Sequence, residues 1–407
     1  MWQLIRANKR NSIILMVLMA AVLLLLGYII GAAFFGHDAG FYGLIIATAV
    51  WLILAMVSFS SGDQILLASS KAVPVKHDDH PQLFNVVEEM SIAAGLPTPK
   101  VYIIADPAPN AFATGRTPQT ASVAVTAGLL GRLNRDELQG VIAHETSHIL
   151  NRDILFVTLA GIMLGSIVLL SQVFLRSMYY GSMTGSRRRY SSGRGGGGQA
   201  QAILLIIAII AAILAPVMAY LLYFALSRRR EYLADAGAAR LTRYPEGLAS
   251  ALEKIANDTS PQLAAANKVT APMYIVNPFK KKGMKLSDLT STHPPISERI
   301  KILRGMTHGA SFQDYSRSFS DITHTKSVIP PSALSKEDVA LRQAAAKAEK
   351  DQRLDKQTRQ IGDIMRKVNN FVFLTCLCGL KLKIPPDFKA NSVACPRCKR
   401  VLDLRSK

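Results

Sequence analysis

Two histidines stand four residues apart in Val141-Ile142-Ala143-His144-Glu145-Thr146-Ser147-His148-Ile149-Leu150, with a glutamate directly after the first. Residues i and i+4 lie one above the other on a helix, so His144 and His148 offer two imidazoles to one metal ion. Glu145 sits about 100° further round the helix, where it can reach an attacking water without filling a coordination position. Two imidazoles, one carboxylate and an open water position make a hydrolytic site, for which zinc is the expected ion. A second stretch, Glu231-Tyr232-Leu233-Ala234-Asp235, repeats the four-residue spacing. Glu231 can supply the carboxylate ligand. Asp235, one turn on, can accept a hydrogen bond from the free ring nitrogen of a ligating histidine. Taken alone, this second stretch suits a charged helix face equally well.

The four cysteines form two close pairs, Cys376-Leu377-Cys378-Gly379 and Cys395-Pro396-Arg397-Cys398. Such pairs in a chain with cytosolic segments favour a metal over disulfides. They read as a small zinc ribbon, in which a second, structural zinc is held by four thiolates. The first pair has one intervening residue where two are usual. Four thiolates leave no place for water, so the role is recognition and the metal holds the fold. Lys381, Lys383, Lys389, Arg397, Lys399 and Arg400 make this region basic. A protein, an acidic lipid surface or a nucleic acid are the candidate partners, against an ordinary solvated face.

The remaining residues must bring these groups together. Of 407 residues 49% are hydrophobic, and the net charge is +20. The apolar residues concentrate in four runs: Ser12 to Phe35, Phe41 to Phe59, Ile154 to Phe174 and Ala202 to Leu226. The first is longer than the core of a cleaved signal peptide and long enough to span a bilayer. Arg6, Lys9 and Arg10 before it, with Lys71 and Lys76 after the second run, place both ends of this hairpin in the cytoplasm. If Glu231 and His144 share one zinc, the chain between them crosses the membrane an even number of times. The two intervening runs satisfy that count. Between them lies an Arg-, Ser- and Gly-rich stretch, Arg176 to Gln199. Its arginines would lie outside, against the positive-inside tendency. Either stronger flanks override it or the pair forms a hairpin that does not span fully. Pro216 predicts a kink in the fourth run, which Arg228-Arg229-Arg230 closes. Charge so placed points to anionic membrane surfaces before nucleic acid.

Between the runs, the spacing predicts a helix over Pro81 to Ala94 and strands over Lys100 to Ala105 and Thr120 to Thr126. An exposed edge near Asn110-Ala111-Phe112-Ala113 to Thr126 could receive an extended peptide by strand addition, or the stretch is an ordinary hairpin. Asn134 to Glu137 starts the helix bearing His144. Further helices are expected over Gly247 to Asn257 and after His293-Pro294-Pro295. His293 is a candidate donor to an oxyanion or to substrate backbone. Ser332 to Lys367 reads as a solvated helix or linker.

In this order, the hairpin, Asn110 to Gly115, the His144–His148 motif, Glu231 to Asp235 and Thr292-His293-Pro294-Pro295 with Arg299 resemble the HtpX-type integral-membrane zinc endopeptidases. These are relatives of the CAAX prenyl proteases. The resemblance covers roughly residues 1–305. It implies an α-helical integral membrane protein with four apolar helices and an α+β zincin-type (gluzincin) metalloprotease domain. It implies Glu231 as third zinc ligand, Asp235 behind it, Glu145 as general base, and His293 and Arg299 in the environment of substrate or transition state. It further implies hydrolysis of misfolded or surplus membrane proteins, at a cell-membrane site facing the cytoplasm. The expected divisions are a transmembrane hairpin (1–60), a first protease segment (61–153), a second transmembrane hairpin (154–227), a second protease segment (228–305), a linker or helical stretch (306–370) and the ribbon (371–407). Two other readings stay open. A CAAX-type prenyl protease would cleave farnesylated C-terminal peptides and ignore unfolded proteins. A membrane-anchored adaptor would act through its ribbon and tolerate loss of Glu145.

Overall fold

Runs of apolar residues uninterrupted by charge become long helices because every backbone polar group is then bonded within the segment. In the computed structural model these are α1 (Trp2–Phe35), α2 (Gly40–Ser69), and, later in the chain, α6 (Asp153–Met183) and α7 (Gly197–Thr242). The structure describes residues 2–35, 40–183, 197–258, 275, 294–331, 334, 339–344, 362–363, 366, 371–386, 388 and 392–403. Each of the four helices is long and apolar enough to cross a membrane. They pack through Leu15, Met19, Leu23, Leu26, Ala160, Ile167, Ala212 and Tyr223. Their outward faces carry Phe41, Ile46, Met56, Ile206 and Leu221, which are apolar and exposed, as a lipid-facing surface must be. Small residues let α1 and α2 meet backbone to backbone: a Cβ on Gly43 would lie 2.7 Å from the Cα of Gly31.

The polar half is built on β1 (Ala72–Pro74), α3 (Pro81–Ala94), β2 (Lys100–Ile104), β3 (Ala111–Thr114), β4 (Ser122–Thr126), α4 (Ala127–Arg132) and α5 (Arg135–Leu150). The strands form one sheet in the order β1-β2-β4-β3, with β2 and β4 parallel and the other pairs antiparallel. The expected helix and strands are therefore present, but Thr120 to Thr126 is not an edge. β4 lies between β2 and β3 with all five residues buried, and β3 is a border strand of the sheet. The reason is the parallel pairing of Val101 with Val123 and Ile103 with Val125, which places β4 inside. Parallel pairs need both faces covered.

α5 starts at a reciprocal cap: Glu137 N–H donates to Asn134 Oδ1 (3.0 Å), and Asn134 N–H donates to Glu137 Oε2 (2.8 Å). The same carboxylate receives Lys254 Nζ at 2.8 Å from α8 (Pro245–Asn257), tying the two helices. Leu138, Val141 and Ile142 of α5 share a core with Leu248 and Leu252 of α8 and with Ile302 of α9 (Ile296–Arg304). That core continues past residue 305. α10 (Phe312–Thr323) adds Phe312, Tyr315 and Phe319, and Ile329 follows. Two short antiparallel hairpins, β5 (Val372–Thr375) with β6 (Lys381–Ile384) and β7 (Ser392–Ala394) with β8 (Val401–Asp403), carry the cysteines.

Gly140 is where α5 and α8 touch most closely, since a Cβ there would stand 2.6 Å from Leu248 N and 2.8 Å from its Cα. Gly140→Val must push the two backbones apart, and a thermal melt should show a loss of about 1–3 kcal/mol.

Candidate active site

α5 and α7 cross so that the turn bearing His144 and His148 faces the turn bearing Glu231 and Asp235. The Nε2 atoms of the two histidines lie 3.6 and 3.5 Å from the two carboxylate oxygens of Glu231. One ligand atom from each of the three residues falls within 4.8 Å of the others, so the trio could hold a metal ion. Zinc bonds of about 2.0–2.1 Å in a tetrahedron set ligand atoms about 3.3–3.4 Å apart. The observed separations are close to that edge.

Each imidazole is oriented from behind by its own carboxylate. His144 Nδ1 lies 3.0 Å from Asp235 Oδ1, in line with the four-residue spacing. His148 Nδ1 lies 3.0 Å from Asp153 Oδ2, a partner to which no spacing in the sequence points. Arg152 takes a left-handed conformation (φ 59°) that turns the chain after α5 and returns Asp153 to the site. The available signal is an acid opening an otherwise apolar run. Both Nδ1 atoms thus stand beside a carboxylate, and both Nε2 atoms lie near Glu231. His144 is fully buried, and neither of its ring nitrogens has a hydrogen bond of normal geometry among the described residues. A buried lone nitrogen facing a carboxylate has the chemistry of a metal ligand.

Electrostatics follow the same geometry. Burial pushes the two imidazoles toward neutrality, but the facing carboxylates outweigh it. His144 ends above its ordinary value through Asp235 and Glu231, and His148 rises to about 10 through Asp153 and Glu231. Glu145 is held above the usual carboxylate range by burial. The charges of His144 and His148 and the backbone N–H of Ala113 oppose that shift. The site is rich in carboxylates and attracts positive charge.

Arg299 lies behind Asp235 and Glu231. It is fully buried and forms a two-pronged contact, Nε and Nη2 to the Asp235 oxygens at 2.8 and 2.7 Å. Its Nη1 is 3.3 Å from Glu231 Oε2. Burial would lower its basicity, but Asp235 and Glu231 raise it, so it stays charged. The four residues expected at a substrate edge divide by role. Asn110 turns its backbone to β4, where its carbonyl accepts from Thr126 N–H at 2.9 Å. Phe112 packs away from the site against Leu67, Ile104 and Ala124. Ala111 faces outward from the sheet, its carbonyl accepting from Ile275 N–H at 3.0 Å. Ala113, two residues on, shares that outward side by the period of a strand. His293 lies outside the described residues. The four cysteines gather as a separate cluster, with Cys376 and Cys398 Sγ atoms 3.4 Å apart and those of Cys378 and Cys395 3.6 Å apart.

Comparison with known proteins agrees with this geometry. Residues 77–307 match peptidase family M48. A "Protease HtpX homolog" of Dictyoglomus thermophilum is 48% identical over 305 residues, 75% of this chain and 94% of that protein. Homologues of the same description from Caldanaerobacter subterraneus and Listeria monocytogenes are 45% and 42% identical over 307 residues, 75% of this chain in both cases and 98% and 100% of those proteins. Among solved structures, S. mikatae Ste24p aligns over 74% of this chain and 67% of its own, with 19% identity and a TM-score of 0.40. The chain belongs to peptidase family M48 and is a membrane metalloprotease.

Proposed function

We propose that His144, His148 and Glu231 hold the catalytic zinc, and that the chain hydrolyses peptide bonds of misfolded or surplus membrane proteins on the cytoplasmic side of a cell membrane. The observation that carries the site assignment is the buried, unpartnered Nε2 of His144 facing Glu231. Zinc, when bound, supplies a Lewis acid that polarises a carbonyl and acidifies water. The protein's own groups do the rest. Asp235 and Asp153 accept from the Nδ1 atoms and fix both rings with Nε2 presented forward. Arg299 holds Asp235 and screens Glu231.

Glu145 follows His144 on α5 and is buried against Ala113, so its carboxylate is near any peptide lying along β3. It takes the proton of the attacking water and delivers it to the departing amide nitrogen. An extended peptide pairs with the outward side of β3 at Ala113, next to the Ala111 carbonyl that Ile275 already fills. Affinity from backbone bonds makes the protease tolerant of side chains, which suits unfolded stretches of many proteins. The basic residues Arg6, Lys9 and Arg10 at the start of α1 and Arg228 to Arg230 in α7 support the cytoplasmic placement.

Cys376, Cys378, Cys395 and Cys398 would hold a second, structural zinc. Zinc–sulfur bonds of about 2.3 Å set tetrahedral sulfur atoms about 3.8 Å apart, and the observed 3.4 and 3.6 Å are a few tenths of an ångström shorter. The basic ribbon would meet an acidic lipid, protein or nucleic-acid partner. The protease unit ends beyond residue 305, because α10 belongs to its core.

The deciding experiment follows cleavage of an unfolded model protein beside metal content per chain, in detergent. Glu145→Gln should keep its metal and lose about 10²–10⁴-fold in kcat/KM; full activity would sink the mechanism. Glu231→Ala should lose one of two zincs. Cys395→Ser should lose the other and leave cleavage intact. For Asp153→Asn, chelator titration should show zinc held about 10–100-fold more weakly, since His148 loses its anionic support.

A further inference from the structure

The match to peptidase family M48 ends at residue 307, and α10 lies beyond it. α10 nevertheless packs on the turn of α7 that carries Glu231 and Asp235. Its Phe319 ring meets Tyr232 edge-on, centroids 5.0 Å apart, and its Phe312 ring lies 5.4 Å beneath the Arg240 guanidinium. Ser318 Oγ donates to the Ile302 carbonyl at 2.6 Å, fixing α10 to α9, the helix that carries Arg299. Tyr315 falls between these contacts and is fully buried. Its phenol stands in the field of Asp235, Arg299, Tyr232 and Glu298, and its hydroxyl has no hydrogen-bond partner among the described residues.

A buried ion pair is strong only while water is kept from it. Asp235 and Arg299 are both fully buried, and α10 packs on α7 and α9, the two helices that carry them. We propose that α10 is the wall that keeps the Asp235–Arg299 pair dry, and that Tyr315 is a positioning residue acting through Arg299 and Asp235 on His144. Zinc retention at the active site thereby depends on a helix outside the matched family region. The ring of Tyr315, and not its hydroxyl, does this, because the hydroxyl bonds to nothing described. The proposal rests on the assignment of His144 as a zinc ligand.

The test uses full-length protein and measures the rate at which each zinc passes to a chelator, with kcat and KM for an unfolded substrate. Tyr315→Leu should release the active-site zinc at least about tenfold faster than wild type, with the cysteine-held zinc unchanged. Tyr315→Phe should behave as wild type. Val86→Ala, a buried position in α3 outside the Asp235–Arg299 contact, controls for lost stability: it should lower Tm without changing zinc release. If Tyr315→Leu does not fold, Phe319→Leu, one turn along α10, carries the same expectation. Wild-type zinc release in the leucine variants, or equal acceleration in Val86→Ala, would overturn the proposal while leaving the zinc assignment standing. Wild-type zinc content in His144→Ala would overturn the assignment and the proposal together.

Discussion

The contact on which the catalytic half depends is the two-pronged pairing of Arg299 with Asp235 in a fully buried setting. Asp235 alone would be an unpaired charge in the interior, and several kcal/mol are at stake when such a partner is missing. With Arg299 in place, Asp235 Oδ1 is shared between Arg299 Nη2 and His144 Nδ1, while the same guanidinium reaches Glu231. One cation thus serves two carboxylates on successive turns of α7, and α9 and α10 enclose it. The arrangement also explains why the site is assembled from distant regions of the chain. A helix pair can bring i and i+4 residues together cheaply, but burying an arginine requires surrounding elements.

What is legible in the sequence follows the range of the interactions. His144, Glu145 and His148 share one helix, and Glu231 and Asp235 share another, so spacing alone exposes them. The cysteine pairs are legible for the same reason, since each sits on the turn of a two-stranded hairpin. Asp153 is not, because its approach to His148 depends on the left-handed turn at Arg152, which no periodicity announces. The border strand is misread because alternation marks a strand but not its neighbours. Only the parallel pairing of β2 with β4 leaves β3 outermost.

α10 shows a different kind of loss. Its cap is written locally, with Asp314 N–H donating to Ser311 Oγ at 3.2 Å and Ser311 N–H donating to Asp314 Oδ2 at 3.0 Å. Phe312, Tyr315 and Phe319 recur at helical spacing, and all three are buried. Yet the helix is otherwise polar and lies past the region of resemblance, so its sequence reads as linker. Its value is visible only when the buried charge behind it is known.

α7 runs for 46 residues without interruption, from the apolar stretch through Glu231 and Asp235 to Thr242. At 1.5 Å per residue it is about 69 Å long, more than twice the hydrocarbon thickness of about 30 Å. Anchor and active-site wall are therefore parts of one continuous helix, with Pro216 inside its apolar stretch. The helix acts as a ruler: its rise sets the distance of Glu231 and Asp235 from the apolar run that precedes them.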